Sequence, residues 1–181
     1  MDLFEKTVKQ NYIYKGKIIT LRVDDAIANN GNECTREVIE HNGGVCVVPI
    51  TDNNEIVYVK QFRYPYSEVI IEIPAGKREG DEEPIVCGKR ELQEETGYTA
   101  EQFISLGELY PTPAYCDEVI YMYAAKGLKA GETNFDDDEC LEIKTMPIDE
   151  FVERILNGEI KDAKTQAAVL KVNELIRRGE I

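Results

Sequence analysis

The segment from Gly76 to Tyr98 constrains this chain more than any other, because it places a glycine, a helix and a second glycine in succession. Glu82 to Glu95 reads as helix: Glu82 and Glu83 favour its N-terminal dipole, Pro84 is tolerated in its first turn, and Gly97 ends it. At 3.6 residues per turn, Glu91, Glu94 and Glu95 fall within an arc of about 100°. Leu92, Ile85 and Gly88 lie on the neighbouring arc, so this acidic face runs along the edge of a buried seam. Like charges one turn apart cost about 0.2–0.5 kcal/mol per pair, and more when partly desolvated. A divalent cation reverses that sign, and Arg90, four residues before Glu94, can hold one carboxylate by an i,i+4 pair. A Glu-rich helix is most often a solvated face, so the helix by itself leaves both readings open.

The rest of the chain is rich in strand patterns. Ile18 to Ala28 and Glu33 to Ile39 flank Asn29-Asn30-Gly31-Asn32, a hairpin signal. Val45 to Ile50 and Glu55 to Phe62, around Asp52-Asn53-Asn54, read as a second antiparallel pair, and Val69 to Ile73 as a short strand stopped by Pro74. Beyond the central helix, Ile104 to Tyr110, Glu118 to Ala125 and Glu139 to Lys144 are strand candidates, and Ile148 to Leu156 and Ala163 to Arg177 are amphipathic helices. The class expected is α+β with a mixed sheet. Two segments are expected: a β-rich N-terminal part over residues 1–41 and a main domain over 42–181.

Composition removes several functions. Asp and Glu number 35 against 21 Lys and Arg, a net charge of −14, which disfavours nucleic acid and anionic lipid as partners. No apolar run is long enough to span a bilayer and the N-terminus has no signal-peptide pattern, so a cytoplasmic protein is expected. Five widely spaced cysteines, none in a Cys-x-x-Cys pair, argue against a disulfide framework and a thiolate zinc site. The single histidine, His41, leaves little room for His-based catalysis.

Gly76, five residues, Glu82, seven residues, Arg90-Glu91-Leu92, one residue, Glu94-Glu95, one residue, Gly97-Tyr98 is a complete match to the Nudix box. A chance match at any one start point is on the order of 10⁻⁸ at average residue usage. The chain therefore resembles a Nudix hydrolase, which implies an α/β/α sandwich with a mixed sheet, here preceded by an N-terminal antiparallel sheet. It implies hydrolysis of a nucleoside diphosphate linked to another moiety. Carried over by position, Glu91, Glu94 and Glu95 and the Ala75 carbonyl are metal ligands, and such oxygen donors suit Mg²⁺ or Mn²⁺.

The resemblance runs from about Leu21 to Leu175 and is closest to the ADP-ribose pyrophosphatase branch, through Gln61-Phe62-Arg63-Tyr64-Pro65, Glu72-Ile73-Pro74-Ala75-Gly76-Lys77 and a proline, Pro113, fifteen residues past Tyr98. Thr112 and Ala114 stand where that branch has Ser and Gly. The resemblance implies that Arg63 contacts the substrate's pyrophosphate, and that Arg36 and Glu37 reach the nucleotide of a partner subunit in a homodimer. Lys77, Pro113 and Glu118 are further substrate-binding candidates. In Asp136-Asp137-Asp138-Glu139, Asp137 matches the proposed general base and Glu139 a further acid near the metals and the alternative base; with Glu94 these are the catalytic candidates. The function implied is Mg²⁺-dependent cleavage of ADP-ribose to AMP and ribose 5-phosphate. Alternatives are broader nucleoside-diphosphate-sugar hydrolysis, GDP-mannose included, and a non-catalytic nucleotide-sensing module.

Overall fold

A computed structural model describes residues 3–135 and 140–181. By internal contacts the chain forms two compact units: Met1–Gly43 with Tyr110–Val119, and Gly44–Leu109 with Ile120–Ile181.

The first unit holds an antiparallel sheet in the order β1 (Lys6–Lys15), β2 (Thr20–Ile27), β3 (Glu33–Glu40). β2 and β3 form the hairpin that the Asn-Gly turn predicts, with Gly31 at φ 86°. β1 carries no apolar alternation and is not legible as a strand: nearly all its residues are exposed, and it is held by its ladder to β2 and by Asn11 Nδ2 donating to the Val23 carbonyl. The Pro111-Thr112-Pro113 segment leads into a stretch that lies along β3. Ile39 N–H donates to the Tyr115 carbonyl at 2.7 Å, and Asp117 N–H to the Ile39 carbonyl at 3.1 Å.

The second unit begins with β4 (Gly44–Pro49), β5 (Glu55–Arg63), β6 (Glu68–Glu72), β7 (Ala75–Lys77) and α1 (Pro84–Thr96). It continues with β8 (Tyr98–Leu109), β9 (Ile120–Ala130), β10 (Leu141–Pro147), α2 (Ile148–Leu156) and α3 (Ala163–Arg177). One sheet, β7-β4-β9-β8, is mixed, with β4 and β9 parallel; the other, β10-β5-β6, is antiparallel.

Every residue of β4 is buried, and its two faces build two cores. Val45 and Val47 pack with Cys87 and Leu92 of α1 and with Ala125. Cys46 and Val48 belong to the larger core, which includes Phe151 of α2 and Ala168, Val169 and Val172 of α3. Helix, sheet and helix are thus layered as the α/β/α resemblance implies.

The hairpin expected from β4 and β5 does not form. The two strands share only an isolated bridge, Ile50 with Ile56, and enter different sheets. The turn at residues 51–54 has hairpin chemistry, but β4 takes β7 and β9 as ladder partners and β5 takes β10 and β6, so neither has an edge left for the other. The central helix starts at Pro84, two residues later than its acidic lead suggests. The strand expected over Glu139 to Lys144 runs Leu141–Pro147, Glu139 itself lying outside the described residues. Among the described residues no helix is long and apolar enough to cross a membrane.

Gly97 turns the chain from α1 directly into β8. It sits at φ 73°, its N–H donates to the Gln93 carbonyl, and a Cβ there would stand 2.9 Å from the Gly131 carbonyl oxygen. Gly158 has a similar φ of 76° but open space around it. Gly97→Ala is expected to cost about 1–2 kcal/mol from the left-handed backbone alone. That is a fall in Tm of about 2–8 °C for a chain of this size. Thermal melts should show Gly97→Ala losing more than Gly158→Ala, because only the former adds a backbone clash.

Candidate active site

The acidic face of α1 is organised by one guanidinium. Arg90 Nη1 donates to Glu91 at 2.8 Å and to Glu94 at 2.9 Å. Its Nε and Nη2 hold the two oxygens of Glu82 at 3.1 and 3.0 Å, and Nη2 also reaches the Lys77 carbonyl at 3.2 Å. Glu82 precedes the helix, so the fork ties the incoming loop, the helix face and β7 together. The Arg90 hydrogen bonds hold the Glu82 carboxyl well below its ordinary 4.5, at about 2, and the same bonds push the guanidinium up. Beneath it, Cys87 is buried, and loss of water pushes its thiol up to about 12.

Glu91 and Glu95, one turn apart, lie against the backbone of β7. Glu95 is 3% exposed, and its Oε2 accepts the Ala75 N–H at 3.1 Å. A Cβ on Gly76 would fall 1.9 Å from the Glu91 carboxyl, so the glycine leaves a cradle that the carboxylate fills.

A second charged group sits where β5, β6 and the start of α3 meet. Arg63 donates to both oxygens of Glu72, Nε at 2.5 Å and Nη2 at 2.6 Å. Lys164 also pairs with Glu72 and lies 3.0 Å from Asp162. Burial pushes the Glu72 carboxyl up, but Arg63 and Lys164 outweigh it and leave it below its usual value. The Arg63 guanidinium is pushed up chiefly by Glu72, with Asp162 and Glu95 adding to the effect, so its field overlaps that of the α1 carboxylates.

Residues 40–169 match the family model described as NUDIX domain. The chain belongs to the Nudix family. It is 41% identical over 177 residues to the "Methanol dehydrogenase activator" of Bacillus methanolicus, covering 96% of each chain. It is 39% identical over 170 residues to the "ADP-ribose pyrophosphatase" of Bacillus subtilis (strain 168), covering 93% of this chain and 92% of that one. A crystal structure of an "ADP compounds hydrolase" superposes with a TM-score of 0.87 over 100% of both chains at 20% identity, a likeness of fold.

Within the Nudix box the structure brings Glu82, Arg90, Glu91 and Glu94 into one network and seats the Glu95 carboxylate against the strand that carries Ala75. Among the described residues no three His, Cys, Asp or Glu side chains are gathered as a ready ligand cluster, since Arg90 stands between the carboxylates. The donors nonetheless fit a hard dication: all are oxygens, and the Gly76 cradle holds Glu91 over the backbone of β7.

The other candidates are dispersed. Lys77 ends β7 with its side chain exposed. In the first unit, Arg36 pairs with Glu5 at 2.6 and 2.8 Å, and Glu37 is exposed beside it on β3. Pro113 is exposed, and Glu118 Oε1 lies 3.3 Å from His41 Nδ1. Asp137 and Glu139 fall outside the described residues. Sequence reasoning misses Glu72 and Lys164 as site residues. The signal for Glu72 is a lone acid within the otherwise apolar run Val69 to Ile73, since a charge in a buried strand needs a partner.

Two outcomes follow from this geometry. Glu82 has its carboxyl lowered by folding, so its stabilisation is fully present above pH 4.5 and is lost as pH falls towards about 2. Acid titration of the protein in EDTA should show Glu82→Gln already weaker at neutral pH, by about 1–2 kcal/mol, and with a shallower stability loss below pH 4.5 than the parent. The nearest atoms a Cβ at Gly76 would meet are the movable end of Glu91, so Gly76→Ala should melt close to the parent, yet bind Mg²⁺ more weakly by calorimetry because Glu91 is displaced.

Proposed function

We propose that this Nudix protein hydrolyses the diphosphate bridge of ADP-ribose, consuming one water and releasing AMP and ribose 5-phosphate. The observation that carries the reading is the complete carboxylate set of α1, seated against β7 by Gly76, in a chain 39% identical to an ADP-ribose pyrophosphatase over 93% of its length.

Glu91, Glu94 and Glu95 with the Ala75 carbonyl would hold Mg²⁺, or Mn²⁺, against β7. When bound, the dication supplies positive charge to the phosphoryl oxygens and makes water more acidic near neutral pH. The chain's own residues do the rest. Arg90 holds Glu91 and Glu94 on one face of α1 and would yield their oxygens to the dication on loading. Arg63 presents a fixed guanidinium to the diphosphate, the group a chain of net charge −14 would otherwise repel. Asp137 or Glu139 takes the proton of the attacking water.

Arg36 and Glu37, on the N-terminal sheet, contribute to the nucleotide site of a second subunit in a homodimer, with residues 1–41 as the dimerising part and 42–181 as the hydrolase domain. Lys77, Pro113 and Glu118 complete the substrate contacts. Free cysteines support a reducing, cytoplasmic setting, and the acidic charge supports a small-molecule substrate over nucleic acid.

The test is a panel of nucleoside-diphosphate sugars incubated with Mg²⁺ or EDTA, with products separated by chromatography. ADP-ribose should give AMP and ribose 5-phosphate only with Mg²⁺, and Glu95→Gln should lower kcat by about 100-fold. Cleavage of GDP-mannose with ADP-ribose left intact would reassign the substrate. A Glu95→Gln variant as fast as the parent under saturating Mg²⁺ would remove the ligand assignment.

A further inference from the structure

Arg63 is held by a chain of buried charges reaching back to the start of α3. The Glu72 side chain is 2% exposed, and both its oxygens are taken by Arg63 on one side and Lys164 on the other. Lys164, 12% exposed, is in turn 3.0 Å from Asp162. Asp162 is the N-cap of α3: its Oδ2 accepts the Thr165 N–H at 2.9 Å and the Thr165 hydroxyl at 2.6 Å. That hydroxyl accepts the N–H of Ile73 at 3.0 Å, the residue that follows Glu72. Helix and strand are therefore pinned together at the one place where the carboxylate sits.

An ion group of this kind is not explained by stability. The two cations and two anions balance in charge, but burying Glu72 and Lys164 costs about as much as the attraction returns, and apolar side chains of the same volume commonly serve as well. What the network does provide is orientation. Glu72 takes Nε and Nη2 of Arg63, which sets the plane of the guanidinium, and among the described residues Nη1 has no hydrogen-bond partner. The Arg63 side chain is 37% exposed, so that edge is open to a ligand. Without Lys164, the Glu72 carboxylate would carry a single counter-ion and would draw Arg63 inward more strongly, leaving less positive charge for an incoming anion. Lys164 thus shares the neutralisation of Glu72, so less of the Arg63 charge is offset by that carboxylate.

We propose that Glu72 and Lys164 are positioning residues for Arg63, which together preset its guanidinium to receive the diphosphate of the substrate. This rests on the hydrolase reading above, in which Arg63 meets that diphosphate. Neither residue touches the ligand; both act through Arg63.

The inference is tested by a double-mutant cycle on the full chain, comparing parent, Arg63→Ala, Lys164→Met and the double variant. Inorganic pyrophosphate binding in Mg²⁺ buffer is measured by calorimetry, and ADP-ribose turnover is measured alongside. Each single variant should bind pyrophosphate about tenfold more weakly, with the double variant no weaker than Arg63→Ala. In turnover the loss should fall on KM with kcat largely kept, and Lys164→Arg should restore both. A purely structural Lys164 would lower Tm yet multiply its effect with that of Arg63→Ala. Such additivity, parent-like pyrophosphate binding by Lys164→Met, or no pyrophosphate binding by the parent would overturn the proposal. If Lys164→Met does not yield folded protein, Lys164→Gln takes its place in the same cycle. Coupling in the binding cycle with ADP-ribose uncut would sink the substrate reading and leave this inference standing; cleavage with additive variants would do the reverse.

Discussion

Four carboxylates cannot share the approach and one face of a helix at the rim of a hydrophobic core unless positive charge stands among them. In this protein Arg90 provides it, reaching Glu82, Glu91 and Glu94 with a single fork. A lysine could neutralise one or two of these oxygens but lacks the planar spread of donors that spans a loop, two helix positions and a strand carbonyl. The same residue therefore stabilises the fold locally and holds three of the acids in fixed places. Gly76 is the matching constraint on the strand side, because any side chain there would occupy the space of the Glu91 carboxylate.

This arrangement depends on a rigid strand beneath it. β4 is buried on both faces, supplying Val45 and Val47 to the core under α1 and Cys46 and Val48 to the core under α2 and α3. It also carries β7 as a ladder partner, with Cys46 opposite Ala75 and Val45 opposite Gly76. The short strand bearing the backbone half of the site is thus fixed by the best-packed element of the sheet. Dense packing of this kind permits few intermediate positions, which favours a site held at one geometry.

The charges around Arg63 follow the same logic at the opposite end of the strand-loop segment. There two cations balance two carboxylates, whereas around Arg90 the carboxylates outnumber the cation. The two groups lie within electrostatic reach of one another through Arg63 and Glu95. A surface with acids on one side and a fixed guanidinium on the other suits a ligand that is itself a cation–anion pair, such as a magnesium diphosphate.

Several features are legible in the order of residues itself. The three carboxylates of α1, its termination at Gly97 and the amphipathic helices Ile148–Leu156 and Ala163–Arg177 all follow from local periodicity and backbone sterics, which depend on residues a few positions apart. The family is legible because its box is local. Strand pairing is not. The turn between Val45–Ile50 and Glu55–Phe62 has every sign of a hairpin, but β4 is buried throughout and β5 is buried from Ile56 to Val59, and alternation cannot rank competing partners where both faces are buried. β1 escapes notice for the opposite reason, since it buries almost nothing and is held by backbone bonds that no side-chain pattern reports. Likewise the pairing of Glu72 with Arg63 and Lys164 joins residues 9 and 92 positions apart. The sequence alone determined which charges and helices this protein has; only the tertiary structure decided which charges meet, because contacts between distant residues are set by how the layers pack rather than by any spacing along the chain.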